Sequence, residues 1–172
     1  MLYMVEMNFA TPERHAEWTE WYDGHIAKLL SLPGFHAAQR LQAEGDSRSP
    51  YLALYEVDGP QVFESEPYRA KAGPGSTGSW RALMFDWHRN LFEGLQHAPR
   101  IPLDAALLVV DRVAESDPPL APGLTALRSV GLDRTLVERG IAVMSPEAAR
   151  AAAARTSLPA RVFLPLMELA RA

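Results

Sequence analysis

Five consecutive residues, Trp21-Tyr22-Asp23-Gly24-His25, include the side chains of this chain with the clearest capacity for chemistry. The imidazole of His25 can accept or release a proton near neutral pH, and an apolar environment would favour its neutral, proton-accepting form. His25 is therefore a candidate general acid or base. The alternative is a core histidine that only packs and hydrogen-bonds to a backbone carbonyl.

The neighbours of His25 could assist it. The Tyr22 hydroxyl and the Asp23 carboxylate could orient the imidazole or interact with a substrate oxygen, so we treat both as candidate catalytic residues. Trp21 lies four residues before His25, on the same flank of a predicted helix, and is a candidate substrate-binding residue. The plainer interpretations are a solvated Asp23 and a tryptophan that only packs.

Two tyrosines are further candidates for substrate binding. Tyr51 and Tyr55 lie on the same face of a predicted strand, because side chains in a strand alternate between its faces. Their hydroxyls could hold a phenolic or carbonyl oxygen while their rings line an apolar pocket. Packing within a sheet is the alternative.

His88 lies on a predicted strand near the middle of the chain. Alternation places it on one face of that strand and Trp87 and Arg89 on the other. If the His88 face lines the pocket, His88 could bind substrate or act as a second proton-transfer group opposite His25. The alternative is an exposed polar face.

Composition excludes several classes of function. The 172 residues carry a net charge of −4, whereas nucleic-acid binding needs a concentrated basic face. The chain has no cysteine, so disulfides, thiolate metal sites and cysteine nucleophiles are excluded. No apolar run approaches the roughly 20 residues that cross a bilayer, so we expect no membrane partner and a cytoplasmic location.

Motifs for cofactor chemistry are also lacking. The sequence contains no G-x-G-x-x-G, no P-loop and no G-x-S-x-G, which argues against nucleotide-dependent and serine-hydrolase chemistry. His25, His36 and His88 do not have the spacing of a metal site. We therefore expect neither a metal nor another cofactor, although a single histidine could still ligate haem.

The order of predicted elements in the first half is β-α-β-β-α-β, the ferredoxin-like arrangement. A hydroxyl, a proline and an acid at Thr11-Pro12-Glu13 predict a helix start, and Pro33-Gly34 predicts its end. The glycine-rich segment 73–78 is predicted to be a loop. The predicted elements are a strand over 2–9, a helix over 11–32, strands over 35–43 and 51–57, a helix over 60–72, and a strand starting at about residue 85.

The second half repeats this order in a degenerate form. A proline-rich loop at 118–123 stands where a first helix is expected. The other predicted elements are strands over 105–113, 124–132 and 140–144, a helix over 145–155, and a strand over 161–167. Pro165 predicts an edge position for the last strand. We predict an α+β fold with domains at 1–97 and 98–172, forming an α+β barrel within the chain or across a homodimer.

The first half resembles the EthD-like branch of the dimeric α+β barrel superfamily. The resemblance is carried by Trp-Tyr-x-x-His at 21–25 with Pro-Gly-Phe at 33–35, by Tyr-Leu-Ala-Leu-Tyr-Glu-Val at 51–57, and by Pro-Tyr-Arg-Ala at 67–70. The aromatic pair stands one residue closer to the histidine than is usual in the family, and Ala27 replaces a proline that often follows the histidine.

The resemblance implies a homodimer or pseudo-dimer with a pocket between the helices and the sheet. Members of the superfamily include cofactor-free monooxygenases, polyketide cyclases, muconolactone-type isomerases, decarboxylases and haem-binding enzymes. The preferred hypothesis is a cofactor-independent enzyme, in which His25 transfers a proton during cyclisation, isomerisation, dehydration or decarboxylation of a small hydrophobic aromatic or polyketide-like substrate. Alternatives are a cofactor-free monooxygenase, a non-catalytic binding protein, and an accessory subunit of an oxygenase system.

Overall fold

The structure, a computed structural model, describes residues 1–73 and 75–172, and its strands form one antiparallel sheet. The helices and strands are β1 Leu2–Phe9, α1 His15–Leu30, β2 Phe35–Ala43, β3 Tyr51–Val57, α2 Glu66–Lys71, β4 Met84–Glu93, β5 Ala106–Arg112, β6 Thr125–Leu132, β7 Glu138–Met144, α3 Pro146–Ala153, β8 Ala160–Pro165 and β9 Ala170–Arg171. Short 3₁₀ turns cover Pro12–Arg14, Pro60–Glu64 and Gly78–Leu83.

The sheet closes into an eight-stranded barrel within one chain. Its strand order is β3-β1-β4-β6-β7-β5-β8-β2, and β2 pairs again with β3, while the short β9 adds to β2. The halves join where β4 pairs with β6 and where β2 pairs with β8. The predicted fold class is confirmed: a ferredoxin-like unit is followed by a second copy without its first helix. The second half covers the inner face of the first, whereas homodimerisation stays a prediction.

The helical stripe predicted for α1 is confirmed, but the predicted start is wrong. Trp18, Tyr22, Ile26 and Leu29 are buried against the outer face of the sheet. Thr11 makes no capping hydrogen bond, and Pro12–Arg14 forms a 3₁₀ turn before the α-helix begins at His15. Proline therefore starts a tight turn here instead of the first turn of α1.

The predicted helix over 60–72 is also divided. Ser65 has an extended backbone between the 3₁₀ turn and α2, and its Oγ accepts a hydrogen bond from the Tyr68 backbone amide. A new N-cap thus interrupts the segment. The predicted loop over 73–78 includes Pro74, which lies outside the described residues, and the 3₁₀ turn Gly78–Leu83 leads into β4.

In the second half, the segment between β5 and β6 contains no helix, as predicted from its prolines. Ser145 caps α3 by accepting a hydrogen bond from the Ala148 backbone amide. The prediction of an edge position for Pro165 is wrong, because β8 lies between β5 and β2, with Pro165 opposite Leu41. Proline is tolerated there because it is the last residue of the strand.

Alternation along the strands separates two main apolar clusters. On β1, Tyr3 and Val5 face outward beneath α1 and α2, whereas Leu2 and Met4 face the barrel interior. A third, smaller cluster lies beneath α3. The site discussed below lies in the outer cluster of the first half. Within the described residues, no helix is long and apolar enough to cross a membrane.

Candidate functional site

A small cavity lies between α1, α2 and the outer face of the sheet. Its volume is about 40 Å³, which is room for only a few water molecules. Much of its wall is aromatic, comprising Tyr3, Trp21, Tyr22, Tyr55, Tyr68 and Trp87. His25 also lines this cavity, so the structure brings together four residues predicted from sequence: Trp21, Tyr22, His25 and Tyr55.

The helical spacing of α1 places His25 against two rings. The imidazole stacks on Trp21 with centroids 5.2 Å apart and an interplanar angle of 17°, and Tyr22 meets it edge-on at 5.8 Å. Burial lowers the pKa of His25 to about 4, and the positive charge of Lys28 acts in the same direction. The ring is therefore neutral at pH 7 and can accept a proton, but its lowered pKa makes it a weaker base than an exposed imidazole.

Tyr22 and Tyr55 line the same cavity as His25 and have protonated hydroxyls. Burial raises the pKa of Tyr22 to about 12, against the opposing effect of the Arg40 guanidinium, which lies 4.5 Å from the Tyr22 ring. Burial likewise raises the pKa of Tyr55 well above its ordinary value. Both phenols stay protonated at neutral pH and can donate hydrogen bonds.

The other three candidates lie outside the cavity. The Asp23 carboxylate is exposed and accepts a hydrogen bond from Arg40 Nη1 at 2.9 Å, so it fixes Arg40 instead of orienting His25. Tyr51 packs on Trp18 with ring centroids 4.7 Å apart. Tyr51 lies on the helix-facing side of the sheet, in the outer apolar cluster, but it does not line the cavity.

His88 lies on the opposite face of the sheet from His25. Strand β4 turns Trp87 and Arg89 outward into the cavity wall and His88 inward, which agrees with the predicted alternation. His88 Nε2 lies 3.2 Å from Glu6 Oε2 inside the barrel. It therefore cannot act opposite His25 in the same cavity.

Three polar residues of the cavity wall were not singled out from sequence. Arg89 Nε, Ser76 Oγ and Thr77 Oγ1 are buried and have no hydrogen-bond partner among the described residues. The Arg89 guanidinium lies 5.0 Å from the Trp87 ring, and its Nη2 lies 3.8 Å from Asp133 Oδ1. Arg89 could have been found from sequence, because it lies two residues after Trp87 on the same face of a strand. Ser76 and Thr77 lie in an irregular segment, where no periodic pattern indicates which side chains face the cavity.

A second charged cluster lies in the barrel interior, near one end. Arg139 is fully buried, with Nη2 2.7 Å from Glu6 Oε2 and Nε 2.7 Å from Asp111 Oδ1. Arg161 pairs with the same two carboxylates. Burial alone would raise the pKa of Glu6, but Arg139, His88 and Arg161 hold it well below its usual range. The members of this cluster, including His88, come from five strands, so local sequence patterns do not reveal them.

The arrangement beneath α1 can support proton transfer. A neutral imidazole, a guanidinium and phenolic hydroxyls share one apolar cavity, which suits removal of a proton from an organic molecule and stabilisation of the oxyanion that results. Among the described residues, no three side chains of the kinds that ligate metals are grouped to hold an ion.

Comparison with known proteins identifies the fold. No protein-family model matches the chain, and no curated protein matches it in sequence. An anthrone oxidase-like protein superposes with a TM-score of 0.59 at 11% identity, over 99% of this chain and 92% of that one. A proposed monooxygenase from Lactobacillus acidophilus NCFM gives 0.58 at 10% identity, over 99% and 95%. These similarities show the fold of the dimeric α+β barrel proteins.

Proposed function

We propose that the protein is a cofactor-independent enzyme that removes a proton from a small hydrophobic aromatic substrate, with His25 as the base. The observation that carries the proposal is the placement of a partly buried imidazole in an aromatic-walled cavity that also contains the Arg89 guanidinium. Membership of the EthD-like branch is part of this proposal and rests on the motif from Trp21 to His25.

The chemistry follows from the charges that develop. Neutral His25 takes a proton from a carbon next to a carbonyl group, or from a phenol, and becomes a cation. The substrate oxygen gains the negative charge, which Arg89 and the hydroxyl of Tyr55 or Tyr22 stabilise by charge and by hydrogen bonding. Return of the proton to another substrate atom completes an isomerisation, cyclisation or dehydration.

Entry of a substrate requires movement of the wall, because about 40 Å³ does not hold an aromatic ring. Trp80, in the 3₁₀ turn Gly78–Leu83, packs on the cavity residue Trp21 with ring centroids 5.9 Å apart. This contact is between partly exposed rings, in contrast to the fully buried Trp18. We propose that displacement of Trp80 opens the cavity.

A second candidate function is oxygenation without a cofactor. It is favoured by the names of the two structural neighbours, an anthrone oxidase-like protein and a proposed monooxygenase. The first step is the same deprotonation, which yields an electron-rich enolate. The methylene group then reacts with O₂. One oxygen atom becomes the carbonyl oxygen of the product, and the other leaves as water together with the two methylene hydrogens.

Anthrone, a tricyclic ketone with an acidic methylene, can test both functions. Under nitrogen in D₂O, exchange of the methylene protons is followed by NMR; in air, formation of anthraquinone and uptake of O₂ are measured. We expect His25→Gln to slow the catalysed exchange by about 100-fold or more, since general bases contribute roughly that much. His36→Gln is the matched control, because His36 is exposed and pairs with Asp58.

Each outcome has a definite meaning. A loss of less than about 10-fold in a folded His25→Gln protein would contradict the role of His25 as base. Exchange without O₂ uptake would favour proton-transfer chemistry alone, and both together would favour oxygenation. Saturable binding of anthrone by the wild type with neither reaction would favour the non-catalytic binding protein.

Arg89→Gln separates charge stabilisation from binding. We expect kcat to fall by roughly 100-fold with a smaller change in KM, because the guanidinium acts mainly on the charge that develops in the transition state. Arg81→Gln is the control: Arg81 also stacks on Trp87, at 4.5 Å, but does not line the cavity. Equal losses in the two variants would indicate that packing on Trp87 matters more than the charge.

A further inference from the structure

The second half contains a pocket at the place that corresponds to the His25 cavity. The His25 cavity lies over β1, beside the chain that follows α2; the second pocket lies over β5, beside the chain that follows α3. In the order of elements, β5 and α3 are the counterparts of β1 and α2. The second pocket measures about 520 Å³, which is within the range of small-molecule sites.

The larger volume follows from the missing helix. In the first half, α1 packs its buried stripe directly on the sheet. In the second half, the segment between β5 and β6 is an irregular loop with prolines at 118, 119 and 122, and it leaves space above the sheet. The floor is apolar, formed by Leu108, Val110 and Met144, and Ala152 of α3 lies on one side.

Several contacts hold the loop in position. The Arg112 guanidinium donates to the backbone carbonyls of Glu115 and Asp117, and Asp117 Oδ2 accepts hydrogen bonds from the amides of Val113 and Ala114, at 2.8 and 2.9 Å. Farther along the loop, two leucines rest on β7 at Gly140, where a Cβ atom would lie 2.8 Å from the nearer one. Contacts within the protein therefore set the shape of the pocket, and no ligand is needed to form it.

One cationic side chain stands at the pocket. Arg155 lines it, is exposed, and takes part in none of the ion pairs found among the described residues. By contrast, Arg150, on α3, binds the Glu44 carboxylate through two nitrogens, at 2.7 and 2.8 Å. Thr156 and Ser157 add hydroxyls beside Arg155. An apolar floor with one uncompensated guanidinium is complementary to an amphipathic anion.

We propose that this pocket binds an organic carboxylate with an apolar body the size of a bicyclic aromatic. The carboxylate pairs with Arg155 and the apolar body lies on Leu108, Val110 and Met144. This site is separate from the His25 cavity, because the two share no residue and lie on the two halves of the barrel. It stands whether or not His25 is a base.

The probe for this site is 1-naphthoate, with uncharged 1-naphthamide for comparison. Methionine methyl groups labelled with ¹³C report on both sites by NMR, because Met84 lines the His25 cavity and Met144 lines the second pocket. We expect 1-naphthoate to shift the Met144 signal saturably and to leave Met84 unchanged. We expect 1-naphthamide to bind about 10-fold more weakly, since it cannot form the charge-assisted pair.

Two pairs of variants test the contacts. Arg155→Gln should weaken 1-naphthoate binding about 10-fold, and the matched control Arg150→Gln should change it less than twofold. Ala152→Leu should fill the pocket and abolish the Met144 shift, whereas Ala151→Leu, at an exposed neighbouring position, should leave it intact. If Ala152→Leu fails to fold, the arginine pair still decides.

Three results would overturn the proposal. One is a Met144 signal that does not move at millimolar 1-naphthoate. Another is a shift at Met84 instead of Met144, which would place the anion in the His25 cavity. The third is equal binding of 1-naphthoate and 1-naphthamide, which would leave Arg155 without a role.

Discussion

His25 is expected to couple the stability of the fold to pH. Burial lowers its pKa from an ordinary value near 6.5 to about 4 in the folded protein. Between these values the unfolded chain binds a proton at this position and the folded chain does not, so the free energy of unfolding decreases as the pH falls. The contribution of His25 is fully present above about pH 6.5 and is lost as the pH approaches 4.

The magnitude follows from the size of the shift. A lowering from 6.5 to about 4 corresponds to about 3.4 kcal/mol at full effect, at about 1.4 kcal/mol per pH unit. The ring is partly exposed, and solvent screening reduces this value. We therefore expect protonation of the unfolded chain at His25 to cost the fold about 2 to 3 kcal/mol between pH 7 and pH 4.

Urea unfolding at a series of pH values measures this contribution when wild type and His25→Gln are compared. Carboxylates with lowered pKa values, such as Glu6 and Glu56, also destabilise the fold in acid, but they are present in both proteins and cancel in the difference. We expect the variant to lose about 2 to 3 kcal/mol less than wild type between pH 7 and pH 4. Equal losses would refute the lowered pKa of His25, and with it the basis for its role as a neutral base at pH 7.

Two other predictions concern stability, with urea unfolding as the measurement for each. Arg139→Met should cost roughly 3 to 5 kcal/mol, because it leaves the carboxylates of Glu6 and Asp111 buried with one cation between them; a cost below about 1 kcal/mol would contradict this. Gly94→Ala should cost about 2 kcal/mol or more, because φ is +123° and a Cβ atom would lie 2.5 Å from a backbone carbonyl oxygen of β6. Gly45→Ala, at φ +70° in open space, should cost about 1 kcal/mol, and equal costs would refute the steric argument.

The elements that sequence predicts well are those with a local signal. The buried stripe of α1 repeats every three to four residues, and the strands of the first half alternate, so period alone identifies them. The missing helix of the second half follows from the prolines at 118, 119 and 122. The prediction that α1 starts at Thr11 is wrong because a Ser/Thr-Pro-acid pattern can begin either an α-helix or a 3₁₀ turn. Only the backbone conformation distinguishes these two structures.

The residues of the two polar sites also differ in whether local sequence patterns predict their proximity. Trp21, Tyr22 and His25 lie within one stretch of helix, so their proximity follows from helical spacing. Tyr55 and Arg89 join them because each lies on the outward-facing side of its strand, β3 or β4. Alternation predicts this once it is known which face of the strand points outward. The interior pairs are different, because Glu6 and Arg139 are 133 residues apart and no local pattern connects them.

Those interior pairs explain why the barrel closes between unlike halves. Three polar side chains of the first half are completely buried, namely Glu6, Gln39 and Asn90. Each finds its partner beyond β4: Arg139 binds Glu6 at 2.7 Å, the Ile101 backbone carbonyl accepts from Gln39 at 2.6 Å, and Thr135 Oγ1 accepts from Asn90 at 2.9 Å.

A barrel made from two first halves would lack all of these partners. Each copy would bury one Glu6 carboxylate without its arginine, and removing one partner of a buried ion pair costs roughly 3 to 5 kcal/mol. Unsatisfied Gln39 and Asn90 would add about 1 to 3 kcal/mol each. The apolar side chains on the inner face of the first half could pack against any similar sheet. The buried polar groups select the second half of the same chain, because only that half supplies their hydrogen-bond and ion-pair partners.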